Sequence, residues 1–210
     1  MSAYENREDE NYAAAIADYN MAIELAPRCA QYYFARGLVK DMFLKDYIGA
    51  IADFNKVVEF DPNYKDVYYY RASAMISVKD FNGAIADYSK VIESDPSWES
   101  LYLDRADAKK ENGDYAGAFA DYSKAIDIDS NREAAYCRRG EFKMIIKDYK
   151  GAIADFDMAI KLYPQYSYAF TKRSEAKRIL NNGIGADVDL DKAVEISFKS
   201  LIEQLNKISK

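Results

Sequence analysis

The chain has 210 residues, 50% of them apolar, with a net charge of −6, a pI near 4.9 and no histidine. The acidic balance without a basic stripe argues against nucleic-acid binding, because phosphate contacts need clustered Lys and Arg. The absence of histidine excludes His-based triads and imidazole metal sites, and we expect neither an enzyme nor a bound cofactor. The sequence contains no run of 18 apolar residues, so it gives no indication of membrane insertion. We expect a cytoplasmic protein.

A short motif recurs along the whole chain and organises it. Its best copy is AIADYSKVIESDP, residues 84–96, and its first alanine returns at intervals of 35 and then 34 residues, at Ala15, Ala50, Ala84, Ala118, Ala152 and Ala186. A period of this length is typical of stacked helical repeats. The apolar residues of the motif form a wide helical arc, and Pro96 ends the helix because proline cannot donate to the preceding turn. Each motif copy therefore predicts a buried helix.

In chain order, residues 1–10 form a polar leader and 11–29 a half repeat with a helix at 11–25. Five full repeats are then predicted, at 30–63, 64–97, 98–131, 132–165 and 166–198. Their first helices are expected at 30–44, 65–78, 99–112, 133–147 and 167–181, and their second helices at 47–60, 81–94, 115–128, 149–162 and 184–196. The extra residue of the first full repeat predicts a longer turn or a bulge near Leu44 and Lys45.

Helix boundaries carry recognisable end signals. A short acceptor precedes the second helices, where it can cap free N–H groups, at Asp46, Asp80, Asp114, Asp148 and Asn182. The tail from residue 197 has no Pro or Gly and predicts a further amphipathic helix. We assign residues 199–210 as a capping helix that covers helix 184–196 at the end of a single solenoid spanning 1–210.

These features together resemble the tetratricopeptide repeat (TPR) family. The resemblance is carried by the 34-residue period, by the spacing of Ala84, Tyr88 and Pro96 within the motif, and by a small residue in each first helix, such as Gly37 or Ala72. It implies an all-α solenoid of tandem antiparallel helix hairpins that form a right-handed superhelix. It also implies a concave groove, lined by the first helices, that binds a peptide or a partner helix.

The family's groove positions can be carried over to this sequence residue by residue. They are Phe34, Leu38, Asp66, Tyr69, Tyr70, Ser73, Leu103, Asp104, Asp107, Arg138, Glu141 and Lys172. Some family members hold the C-terminal carboxylate of chaperones with a clamp of Lys, Asn and Arg. Here the clamp positions hold Phe34, Leu38, Tyr70, Ser100 and Asp104. The resemblance therefore implies a protein-interaction scaffold that is not a carboxylate-clamp chaperone binder.

Two interpretations remain open for the partner and for the oligomeric state. The first is a monomeric scaffold whose groove binds a peptide with an apolar anchor beside a basic residue. The second is a structural module whose solenoid associates with itself. Trp98, Tyr64 and Tyr166 share one place at the repeat junctions, which favours a packing role for all three.

One arginine recurs in every first helix and one aspartate in every motif helix. The arginines are Arg36, Arg71, Arg105, Arg139 and Arg173, and the aspartates include Asp53, Asp87, Asp121, Asp155 and Asp189. A half-buried charge needs a partner, so the pattern predicts a ladder of ion pairs between helices. The alternative is an anion-binding row of guanidinium groups. Cys29 and Cys137 lie three repeats apart, too far for a disulfide, and both are expected to be reduced.

Overall fold

The computed structural model describes residues 3–208 and the side chains of 11–207. Over that range the chain forms eleven α-helices and no β-strand, which confirms the predicted all-α fold of tandem helix hairpins. The chain divides into two compact units, Met1–Asp114 and Tyr115–Lys210. No helix in the described part combines the length and apolar character needed to cross a bilayer.

The first unit contains six helices in simple succession. They are α1 (Ala3–Leu25), α2 (Ala30–Met42), α3 (Tyr47–Phe60), α4 (Lys65–Ser77), α5 (Phe81–Ser94) and α6 (Glu99–Glu111). Each helix packs against the next one along the chain. Because three- or four-residue connections join them, neighbouring helices run antiparallel.

The second unit continues the same pattern with five helices. They are α7 (Tyr115–Ile128), α8 (Glu133–Ile145), α9 (Tyr149–Leu162), α10 (Ser167–Ile179) and α11 (Gly183–Ile208). Here, too, consecutive helices pack on one another. Four of the five predicted second helices, 47–60, 81–94, 115–128 and 149–162, have the bounds observed for α3, α5, α7 and α9.

In two hairpins a motif aromatic on the second helix faces a glycine on the first helix. Phe54 on α3 and Phe156 on α9 are both 0% exposed. A Cβ added to Gly37 would lie 2.6 Å from the Phe54 ring, and one added to Gly140 would lie 2.7 Å from the Phe156 ring. Since real Cβ atoms do not approach that closely, the glycines are needed to let these rings fill the space between two helices.

Four of the predicted N-caps are observed in the structure. The N–H groups of Gly49, Gly83, Gly151 and Gly185 donate to Asp46, Asp80, Asp148 and Asn182 respectively, at 2.9–3.0 Å. The residue before each cap has positive φ: 54° at Lys45, 63° at Lys79, 83° at Gly113, 64° at Lys147 and 60° at Asn181. This left-handed residue ends the preceding first helix one or two residues before the predicted bound.

The extra residue of the first full repeat lies in the turn, as predicted. The N–H of Asp46 donates to the carbonyl of Lys40 at 2.8 Å, six residues back. In the following repeat the N–H of Asp80 donates to Met75, only five residues back. The longer turn near Leu44 and Lys45 is thereby confirmed.

Both ends of the helical array differ from the predicted boundaries. Helix α1 begins at Ala3, inside the segment assigned as a leader. At the other end α11 runs without a break to Ile208, so residues 199–208 continue that helix and do not fold back as a separate cap. The physical reason is that Phe198 stands where most other motif copies have a helix-ending proline. Val194 and Phe198 accordingly remain 61% and 63% exposed.

Candidate functional site

The repeated arginines make ion pairs between helices. Arg71 donates to both carboxylate oxygens of Asp87, at 2.7 and 2.8 Å. The same two-pronged geometry joins Arg36 to Asp53, Arg139 to Asp155 and Arg173 to Asp189. These four aspartates are only 2–5% exposed. Bidentate pairing of buried carboxylates supports the ladder and leaves little of these guanidiniums for a bound anion.

Each of these arginines also has a second partner, which the sequence pattern did not predict. The Nη1 group of each arginine donates to a side chain on the preceding motif helix. The accepting residue lies two positions after the repeated aspartate of that helix. The acceptors are Asn20, Asn55, Ser89, Ser123 and Asp157 for Arg36, Arg71, Arg105, Arg139 and Arg173 respectively. These acceptors differ in residue type, so only their common spacing of 16 residues before the arginine could have revealed them. The arginine column therefore ties neighbouring hairpins together and is structural.

Partly buried aromatic rings, together with the exposed ring of Trp98, form a continuous group in the first unit. This aromatic cluster consists of Phe34, Tyr64, Tyr70, Tyr69 and Trp98. Phe34 contacts Tyr64 and Tyr70 with ring centroids 4.8 and 5.5 Å apart. Tyr70 contacts Tyr69 edge-on at 5.4 Å, and Tyr69 stacks on Trp98 at 5.7 Å. Three of the predicted groove residues are thus brought together, and two junction residues join them.

An open cavity of about 600 Å³ lies at one end of this cluster. Its lining residues come from the start of α4, the end of α5 and the turn that follows: Lys65, Asp66, Tyr69, Tyr70, Val91, Ser94, Asp95 and Trp98. Trp98 is 46% exposed. A concave surface of this size, with aromatic walls and a few polar groups, is typical of ligand sites.

Trp98 has the packing contact expected of a junction aromatic and also keeps an exposed face. Its ring stacks on Tyr69, yet nearly half of it is exposed. A large aromatic that is half exposed provides contact area with little loss of conformational entropy. Local sequence pattern at this junction position does not reveal the contact with Tyr69, which depends on how closely the next repeat approaches.

The remaining predicted groove residues of the first unit have mixed environments. Leu103 is 1% exposed and belongs to the core, so it is not available to a ligand. Leu38 is half-buried on α2 and Ser73 is exposed on α4. Asp107 forms an ion pair with Lys110 at 3.3 Å.

Tyr69 lies in a partly desolvated and negatively charged environment. Burial raises the pKa of Tyr69, and the charge of Asp104 raises it further. Asp66 is exposed, and within the described residues its carboxylate makes no hydrogen bond or ion pair. The aromatic cluster is therefore accompanied by carboxylates that can attract a cationic partner.

In the second unit the predicted groove residues already have partners within the unit. Tyr168 on α10 donates a hydrogen bond to Glu141 on α8, which raises the pKa of Tyr168. Lys172 pairs with Glu175 at 3.0 Å and lies 5.5 Å from the centre of the Tyr168 ring. Arg138 is half-buried on α8. This region is a polar network with few open groups, in contrast to the aromatic cluster.

The two cysteines are free thiols, as predicted. Cys137 is 2% exposed, and burial raises its pKa to about 11, although a hydrogen bond with Tyr166 works in the opposite direction. A thiol of this kind is protonated at neutral pH and is a poor nucleophile. Cys137 therefore has no catalytic character.

Comparisons with known proteins agree with the fold of tandem helix hairpins. None of the curated proteins matches the sequence significantly. A crystal structure of MamA superposes with a TM-score of 0.71 at 21% identity, over 79% of this chain and 96% of MamA. YrrB, a TPR protein with an unusual peptide-binding site, superposes with a TM-score of 0.65 at 17% identity, over 90% of this chain and 97% of YrrB.

The C-terminal part of a TPR repeat-containing protein from Cytophaga hutchinsonii has a TM-score of 0.77 at 17% identity, over 94% of this chain and 79% of that one. At these identities the likeness shows the fold alone. The family model described as tetratricopeptide repeat matches residues 1–65 and 103–167, which together exceed half of the sequence. The chain therefore belongs to the tetratricopeptide repeat family.

Proposed function

We propose that this chain is a non-enzymatic scaffold that binds a peptide segment or a partner helix on the aromatic cluster of the first unit. The observation that carries the proposal is the stacked pair Tyr69 and Trp98, which lines a cavity of about 600 Å³ and in which Trp98 is 46% exposed. Buried anchors in binding interfaces are enriched in Tyr and Trp because these rings bury a large area at low entropy cost.

The charges near this cluster favour one orientation of the bound segment. Asp66 and Asp104 lie on successive first helices of the unit, α4 and α6. Charge complementarity sets the orientation and the association rate of a partner more than its affinity. We therefore expect a segment with an apolar anchor next to a basic residue. The peptide-binding site of YrrB supports this reading by analogy of fold only.

A displayed library of random peptides, selected on the purified protein, tests the proposal. Selected peptides should bind Tyr69→Ala at least tenfold more weakly, because truncation of a central aromatic anchor removes a large share of the binding energy. Asp104→Lys should also weaken binding, and circular dichroism should show that both variants remain folded. Tyr163→Ala removes a half-exposed ring from the second unit and serves as the control. Unchanged binding to both test variants would show that the site lies elsewhere.

Self-association is the second candidate function, and the exposed face of α11 favours it. Val194, Phe198, Leu201 and Leu205 are 51–63% exposed. Their spacing of four, three and four residues is that of a coiled-coil seam, which suits pairing with the same helix of a second copy. Light scattering across a concentration series decides the matter: a dimer that dissociates on dilution supports this candidate, and a monomer at all concentrations contradicts it.

A further inference from the structure

We infer that the cavity beside Tyr69 and Trp98 receives the side chain of an arginine in the bound segment. The inference rests on the proposed function, since it assigns one side chain of the ligand to one subsite of the aromatic cluster. Three properties of the cavity carry it: a flat aromatic wall, an excess of carboxylates and an open mouth.

The aromatic wall has the shape that a planar cation requires. The rings of Tyr69 and Trp98 are 22° from parallel with centroids 5.7 Å apart, and Tyr70 meets Tyr69 nearly at a right angle. Stacking on Tyr69 covers part of the Trp98 indole, and because Trp98 is still 46% exposed, a flat aromatic face remains uncovered at the cavity that it lines. A guanidinium group stacks on flat aromatic faces, and Trp is the strongest partner for a cation among the aromatic side chains.

The charges that border the cavity are predominantly negative. Asp66 and Asp95 line it together with one cation, Lys65. Hydrogen bonds from Ser97 lower the pKa of Asp95, and the positive charge of Lys65 lowers it further. Asp95 is therefore ionised, and its charge interacts with that of Lys65. Asp66 makes no hydrogen bond or ion pair within the described part of the chain. Its carboxylate is therefore available to a cation that enters from solvent.

Arginine fits this subsite better than lysine or an apolar residue. Its guanidinium is planar, weakly hydrated and always charged, so it can stack on the exposed face of Trp98 and reach a rim carboxylate with its edge. An ammonium is strongly hydrated and would lose more solvation on the same surface. A leucine would cover the rings but would leave the carboxylates without a partner.

Trp98 is the single tryptophan of the chain, so its fluorescence reports on this cavity directly. The probe is N-acetyl-arginine methylamide, titrated into the 210-residue chain at low ionic strength. The matched probes are the citrulline, lysine and leucine analogues; citrulline keeps the shape of arginine but is neutral. We expect a saturable change with millimolar affinity for arginine, about tenfold tighter than for citrulline, and weaker binding in 0.5 M salt.

Two variants test which group recognises the cation. Asp66→Asn should weaken the arginine probe about twofold to fivefold, as expected for loss of one exposed ion pair. Asp66 is exposed, so the variant should fold normally. Glu93→Gln removes the same charge from an exposed position of α5 outside the cavity lining and should leave binding unchanged. If citrulline or leucine binds as tightly as arginine, or if no probe gives a saturable change, the inference is overturned.

The two proposals fail in different ways. If library peptides bind and Tyr69→Ala abolishes their binding, while arginine-to-citrulline replacement in those peptides changes nothing, the scaffold function stands and the arginine subsite is wrong. If the arginine probe binds with the expected selectivity but no peptide of the library does, the subsite stands and the peptide-binding proposal loses its support.

Discussion

Arg71 on α4 donates to Asp87 on α5 through two nearly parallel hydrogen bonds, Nε to Oδ2 at 2.7 Å and Nη2 to Oδ1 at 2.8 Å. Its third nitrogen donates to Asn55 on α3 at 2.7 Å. A single side chain thus joins three successive helices, and Arg36, Arg139 and Arg173 do the same in their own repeats.

Removing this side chain should be costly. Arg71→Ala would leave the buried carboxylate of Asp87 uncompensated, and we expect the free energy of unfolding to fall by about 3–5 kcal/mol. Urea denaturation measures the loss. Lys56→Ala is the control, since Lys56 forms an exposed pair with Glu59 and should leave the midpoint nearly unchanged. Equal effects of the two variants would show that the ladder is a solvated row of charges.

The ladder should also make stability depend on pH. Burial alone would raise the pKa of Asp189, but hydrogen bonds from Arg173 and Lys177 outweigh it and hold the pKa below its ordinary value. A carboxylate with a depressed pKa in the folded state stabilises the protein above about pH 3.9, and this contribution is lost as the pH falls through the folded pKa.

The comparison of wild type with Asp189→Asn tests this dependence. The wild type should be clearly more stable at pH 7, and the difference should narrow below about pH 4. Urea midpoints at a series of pH values give the measurement, with Asp191→Asn as an exposed control on the same helix. A difference that stays constant down to pH 2 would mean that Asp189 does not titrate differently in the folded state.

The turn between the helices of a repeat stores backbone strain that substitution can release. Lys79 has φ of 63°, a conformation that is costly for residues with a Cβ. Lys79→Gly should raise the free energy of unfolding by about 0.5–1 kcal/mol, after the entropic cost of glycine is deducted. Gly113 occupies the equivalent turn with φ of 83° and open space around its missing Cβ, so Gly113→Ala should lower stability by a similar amount. Thermal denaturation of the two variants gives the result, and shifts of the same sign would contradict the explanation.

Helices α3 and α5 could be predicted to the residue because both of their ends have chemical signals. Asp46 caps the start of α3, and the Asp61–Pro62 pair ends it; the same pattern brackets α5. The first helices were predicted one or two residues too long at their C-terminal ends. Their stop signal is a residue with positive φ, and lysine at that position gives no hint of it, whereas Gly113 does.

The candidate site was predicted only in part because its members come from different levels of the repeat. Tyr69 and Tyr70 could be recognised from their position in a first helix. Trp98 could not be assigned to them from local pattern, because the stacking depends on how closely the next repeat approaches. Leu103 occupies a groove position by register, yet only 1% of it is exposed. Register along one helix gives the direction of a side chain but not what covers it.

The last prediction concerns the C-terminal part of α11. Its buried residues, Ala186, Asp189, Ala193 and Ile196, all precede residue 197. Ala193 and Ile196 pack with Phe170 in a small core. Between residues 198 and 207 the large apolar side chains are 42–63% exposed, so this segment adds little buried area to the fold.

Ending the chain after Ser197 should therefore leave the melting temperature within a few degrees of the wild type. It should also reduce binding of a hydrophobic dye and any self-association, because the exposed face of Phe198, Leu201 and Leu205 is removed. The control ends the chain after Lys192 and deletes Ala193 and Ile196 as well. That loss from the core should cost about 2–5 kcal/mol and lower the melting temperature by many degrees. If the shorter deletion destabilises the protein as much as the longer one, the segment after Ser197 covers part of the fold and acts as the cap that the sequence predicted.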